Sequence, residues 1–385
     1  MDELQLLKDH HDAQPGPSPE IVAGARLRLV QHTGHRRGFR FTWPLATGLG
    51  MTAAAASVAL VVGASGSGTA PVKPQPELTA RQVLLAAAAQ VDRQPQAIGK
   101  YLHTTMLNTL VFSTTVNGHS FRVGQKRSED SWDASDPAHD ASYTWTRELG
   151  TQPLTAADAA AWKAAGSPAQ FPVTLMPFNK SHQRTVMHLD MPIRQAGKPT
   201  ATSQAAGTKG NMGAGYLGTK WLTVKDVLAL PADPARLKAL LIPMYAGHAP
   251  DSGLSMPQQV WLFTVARDLV NGSFPARPAV QAAAYRMLAG LSGVTAIGTV
   301  KDPTGRTGTA IAINENSNSA EHFGLIRHMI IIDRTTGRIL AEEEIALKPA
   351  ANGMAAGLPP GTAYATLVYP TSAWTDQKPQ APAAP

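Results

Sequence analysis

The stretch FTWPLATGLGMTAAAASVALVVGA, residues 41–64, holds no Asp, Glu, Lys, Arg or His. At ~1.5 Å of rise per residue, its 24 residues make a helix of about 36 Å, long enough to cross a hydrocarbon core of about 30 Å with some tilt. Arg36, Arg37 and Arg40 stand just before it, with Arg26 and Arg28 further back. After it, Lys73 is the only cation before Arg81. The positive-inside bias therefore predicts one transmembrane helix, 41–64, with residues 1–40 in the cytoplasm and the long C-terminal part outside the membrane. Trp43 suits the membrane interface, and Pro44 suits the first helical turn, where its missing N–H costs little.

Two other readings of this stretch stay open. One is a long buried helix of a soluble domain. The other is a cleaved export signal: Arg36-Arg37-Gly38-Phe39 has the look of a twin-arginine motif, and Val62-Gly63-Ala64 offers a cleavage site. About 35 residues precede the arginine pair, which is long for the n-region of such a signal.

The rest of the composition is consistent with an exported, folded domain. The chain has 385 residues and a formal charge of +7. Residues 1–40 carry six Lys/Arg against five Asp/Glu, so most of the excess is scattered over the outer part. No basic run and no basic-aromatic interleaving occurs, which argues against nucleic-acid binding. The absence of cysteine excludes disulfides, thiolate metal sites and cysteine nucleophiles.

Residues 1–40 read as a cytoplasmic amphipathic helical segment, with Ser18-Pro19 as a helix start and Ile21, Val22, Ala25 and Leu29 on one stripe. Residues 65–77 are a Gly/Ser/Pro linker. Residues 78–376 form the outer domain. Thr79 caps a helix to about residue 92, and strand-like runs follow at 101–116, 120–126 and 141–149. Thr155 and Asp158 open a short helix. Residues 166–220 read as a long surface loop. Further helices are expected at 223–230, 234–241, 257–270 and 278–291. Strands are expected at 294–300, 307–313, 325–333, 338–347 and 363–369, with turns at 302–305 and 334–337. Residues 377–385 are a Pro/Ala tail of disordered composition. Strands, then helices, then strands give an α+β fold: a curved antiparallel sheet packed on helices.

The chain carries no local catalytic motif. Gly213, Gly215 and Gly218 match G-x-G-x-x-G but follow no βαβ strand and read as a flexible loop. His182 and His188 lie six apart and read as exposed. Asn314, Glu315, Asn316, Asn318 and Glu321 read as an exposed hairpin tip. Glu342, Glu343 and Glu344 read as an exposed edge strand, its charges guarding against edge-to-edge pairing. No catalytic, cofactor or metal residue is assigned. Tyr101, Trp132, Tyr143 and Trp145 are the candidate lining of an apolar ligand cleft.

Several segments together resemble an actinobacterial family of single-pass membrane proteins of unassigned function. They are MDELQLLKDHH and PSPEIVAGARLRL near the start, VLLAAAAQV at 83–91, and the block from AAAYRMLAGLSGVTAIGTVKDPTGRTG to IIIDRTTGRILAEEE. The resemblance implies a place beside extracytoplasmic-function sigma factors, hence a signalling role with a cytoplasmic regulator as partner. It also implies an outer domain similar to the lipoprotein-carrier half-barrel, a shape suited to acyl chains. No cysteine-containing zinc motif precedes the membrane helix, unlike zinc-binding anti-sigma factors. The reading that follows is a membrane-anchored extracytoplasmic binding or sensory protein for a lipid or other apolar envelope ligand. The alternatives are an interaction protein of the envelope without small ligand, and an exported hydrolase.

Overall fold

The computed structural model describes residues 78–175, 187–217, 220–247, 255–316, 324–351 and 355–382. The expected cytoplasmic segment, membrane helix and linker, with Arg36, Arg37, Arg40 and Trp43, lie outside the described residues, as do His182, Asn318 and Glu321. Among the described residues no helix is long and apolar enough to cross a membrane.

The domain opens with helix α1 (Ala80–Asp92), followed by β1 (Tyr101–Val116), β2 (His119–Ala134) and β3 (Ser142–Pro153). Then come α2 (Ala156–Ala164), β4 (Gln170–Leu175), β5 (Met187–Pro192), β6 (Thr200–Gln204), α3 (Lys209–Met212), β7 (Gly213–Leu217) and β8 (Lys220–Thr223). Helices α4 (Val224–Leu228), α5 (Pro234–Leu241), α6 (Gln258–Val270) and α7 (Pro278–Leu288) follow. The chain ends in a meander of β9 (Thr295–Lys301), β10 (Thr307–Asn316), β11 (Gly324–Ile332), β12 (Ile339–Pro349) and β13 (Thr362–Thr375).

Nine of these strands form one curved antiparallel sheet in the order β6-β3-β2-β1-β13-β12-β11-β10-β9. Two meanders, one from each end of the domain, are joined where β1 pairs with β13. The β1–β2 hairpin turns through Asn117 and Gly118, at φ 49° and 78°. Both residues are left-handed, the geometry that matches the twist of the flanking strands, and Asn-Gly adopts it at low cost. The pairing therefore runs without a break from Tyr101–Ala134 to Val116–His119.

The ends of the helices follow local chemistry. The Thr79 hydroxyl accepts from the Gln82 N–H while the Gln82 side chain accepts from the Thr79 N–H, a reciprocal cap that starts α1. Pro278 begins α7 and Pro234 begins α5, where a missing N–H costs nothing. Helix α6 is buried on every side from Val260 to Val270, and Trp261, Leu262 and Phe263 have no exposed surface. A helix of that kind belongs in the middle of a core. It packs with α1 and α7 against Ile311, Ile313, Ile330, Ile332 and Tyr369, which stand on one face of the sheet. Each fully buried aliphatic or aromatic side chain there contributes roughly 1.5–3 kcal/mol.

The structure corrects several expectations. Strand β12 is interior, between β11 and β13, so Glu342–Glu344 are not on an exposed edge. Glu342 and Glu315 are both buried. Strand β2 runs on through Lys126-Arg-Ser-Glu-Asp130 to Ala134, because long cross-strand pairing outweighs the polarity of that segment. The expected loop 166–220 contains three strands of its own plus β7, and Gly213 is fixed rather than flexible. A Cβ there would come 2.2 Å from the Trp221 ring, so only glycine allows the indole to lie on the strand.

Candidate functional site

The register sorts the side chains of the sheet onto two faces. On the helix face, β12 places Glu342 and Glu344, β11 places His328, β10 places Glu315 and β13 places Tyr369. Helix α6 lowers Arg267 and Asp268 toward them, and Asn271 follows at its end. The Arg267 guanidinium lies 2.9 Å from Asp268 and 3.2 Å from Glu342. The Asn271 amide donates to Glu342 at 2.5 Å, and the Tyr369 hydroxyl donates to the same oxygen at 3.0 Å. Burial alone would lower the Arg267 pKa, but Asp268, Glu342 and Glu344 outweigh it and raise it.

One strand further on, His328 Nε2 lies 2.7 Å from Glu315, and Nδ1 lies 3.5 Å from Glu344. Burial opposes the charged imidazole, yet the hydrogen bond to Glu315 and the nearby Glu344 carboxyl raise His328 to about 9. The ring is therefore a cation at neutral pH, hydrogen-bonded to Glu315 and paired by charge with Glu344. Burial pushes Glu344 up, and His328 with Arg267 more than reverses this, leaving its pKa lowered. This buried network joins α6 to four strands. Its chemistry is that of a structural lock, since each cation is held between carboxyls.

The opposite face carries a different set. Its clusters are built from strand side chains alone: Ala310, Ala312, Met329, Ile331, Ala341 and Val368, with Leu107 beside them, and an aromatic group at one end. That group contains all four residues singled out from the sequence. Register places Tyr143 opposite Trp132, and Trp132 opposite His103. His103 stacks on Trp132 at 3.9 Å between centroids and 16° between planes. The Trp132 N–H donates to Asp130 at 2.7 Å, and His103 Nε2 lies 3.2 Å from the same oxygen. Tyr101 meets Trp132 edge-on, and Tyr143 and Trp145 lie nearly parallel at 6.1 Å. Tyr101 and Trp132 are buried, whereas Tyr143 and Trp145 remain half-buried. Tyr101, Trp132, Tyr143 and Trp145 thus do come together, on the face away from the helices.

Glu343 also points to this face, between Met329 and Thr366 in register. Among the described residues it forms no hydrogen bond or ion pair. Burial, and then the Asp302 carboxylate, push it up to about 7. Asp302 sits in the β9–β10 turn, where Thr304 and Arg306 hold it. Sequence reading missed Glu343 as a separate site because three consecutive glutamates look alike. The period-two alternation separates it from Glu342 and Glu344 once β12 is known to be interior. Among the described residues no group of three or more His, Asp or Glu is placed to hold a metal ion.

No protein-family model matches the sequence, and no curated protein or solved structure matches it.

Proposed function

We propose that this chain is a membrane-anchored extracytoplasmic binding or sensory protein. In this reading residues 41–64 span the membrane once, residues 1–40 stay in the cytoplasm and the α+β domain stands outside. The ligand is a lipid or other apolar envelope molecule, lying against the sheet face that the helices leave. The observation that carries this is the make-up of that face: half-buried Tyr143, Trp145 and Leu107 beside buried Met329 and Val368, and one acid, Glu343, with no partner among the described residues. Aromatic and aliphatic side chains with a few polar groups among them are what apolar ligands bind. The cytoplasmic segment then serves as the output, docking a regulator such as a sigma factor, as the family resemblance suggests.

The experiment is native mass spectrometry of the full chain, purified from its own host in mild detergent. A reproducible adduct of lipid mass, lost in Trp145→Ala, is the expected result. An unadducted mass, with apolar dyes failing to bind, overturns the lipid reading.

A second reading, an envelope interaction protein without small ligand, draws on exposed apolar side chains elsewhere. Ile297 on the edge strand β9, Leu85 on α1 and Leu240 on α5 are each more than a third exposed. Crosslinking in intact cells, followed by loss of the crosslink in Ile297→Lys, favours that reading over the first.

A further inference from the structure

We propose that Glu343 anchors the ligand on the sheet face away from the helices, and that the group it takes is a cation, an ammonium or guanidinium carried by an otherwise apolar molecule. This rests on the ligand-face reading above and narrows its ligand class. The geometry comes first. Glu343 is half-buried, stands between uncharged Met329 and Thr366, and lies one register step from Leu107, Ala341 and Val368. Among the described residues no donor reaches it. Its row across the sheet continues through Thr366 and Thr109 to Lys126 on β2. At ~4.8 Å per strand that lysine is about 14 Å away, beyond ion-pair distance. The charged neighbour is Asp302, already tied to Arg306.

Taking an ionised carboxyl partly out of water without a partner is unfavourable. Gln at this position would avoid that cost and keep the shape. A cation arriving from outside meets a carboxylate whose desolvation has already been met by folding, among apolar side chains. Titratable groups displaced in this way concentrate at binding sites.

The test uses the full chain in phosphatidylcholine nanodiscs, with hexylammonium and 1-hexanol as probes and empty discs as the blank. Binding is read by saturation-transfer NMR. Hexylammonium stays charged from about pH 5.5 to 8.5, so its affinity follows ionisation of the acid. With Glu343 near 7, the affinity is expected to rise about thirtyfold over that range, in proportion to the ionised fraction. In Glu343→Gln the rise disappears and hexylammonium binds no better than hexanol. Glu343→Asp keeps a pH-dependent rise, which guards against a folding defect in the Gln variant, and thermal melting checks both. A flat profile, or tighter binding in acid, overturns the cationic assignment while leaving the ligand face standing, provided hexanol still binds. Failure of both probes at every pH overturns the ligand-face reading itself.

Discussion

The Tyr285 hydroxyl donates to the main-chain oxygen of Gly337 at 2.7 Å, tying α7 to the β11–β12 turn. Gly337 sits at φ 73°, and a Cβ there would come 2.6 Å from the Ala87 oxygen of α1. Two helices and a turn thus meet at one glycine. Tyr285→Phe leaves a buried carbonyl unmatched and is expected to cost roughly 1–3 kcal/mol. Gly337→Ala adds backbone strain to a clash with a main-chain atom and is expected to cost more than Tyr285→Phe. Urea midpoints of the two variants check the order.

Arg267 is the cation on which Glu342 and Asp268 converge. Arg267→Met leaves two buried carboxyls without it and is expected to destabilise by about 3–5 kcal/mol. Combining it with Glu342→Leu recovers part of the loss, because the second change removes one stranded charge. A double-mutant cycle by chemical denaturation reads the coupling.

His328 gives stability a defined pH window. Its folded pKa of about 9 exceeds the ordinary 6.5, so its contribution is complete below 6.5 and is lost as pH rises through 9. The loss is on the order of 3 kcal/mol for this buried ring. His328→Gln is less stable than the wild type in acid and lacks the decline between those two values. Stability measured against pH for both proteins tests it.

Glu343 acts in a lower window. Its pKa is raised from 4.5 to about 7, so the folded state loses stability as pH rises between those values. Glu343→Gln is expected to raise the Tm at about pH 8 and to leave it nearly unchanged at about pH 4. Equal Tm shifts at both pH values would contradict a raised acid at this position.

Much of the architecture is written in local sequence. The Thr79 cap, the 302–305 turn and the helices around 258–270 and 278–288 all lie where capping, turn chemistry and periodicity put them. What local reading misjudges is charge. Glu342 looks solvent-facing because its cation, Arg267, lies 75 positions earlier on a buried helix, and Glu344 because its partner, His328, stands on the neighbouring strand. Glu315 looks like a hairpin tip because its partner, His328, sits on the next strand. Polar residues pair across tertiary space, and single-strand patterning carries no trace of the partner. The aromatic group was legible because Tyr143 and Trp145 share a face by alternation, and because β1, β2 and β3 are consecutive. Which face of the sheet they occupy depends on where α6 and α7 dock, so the sequence pattern alone left it open.

The pairing of β1 with β13 has a consequence for biogenesis. Thr105 and Thr371 are hydrogen-bonded although 266 positions separate them. As the polypeptide emerges, β1 gains β2 at once but keeps its other edge bare until β13 has been synthesised. Such long-range closure is slow, and an unpaired strand edge invites association with other chains. Loss of β13 would therefore yield an opened sheet prone to aggregation rather than a shortened domain.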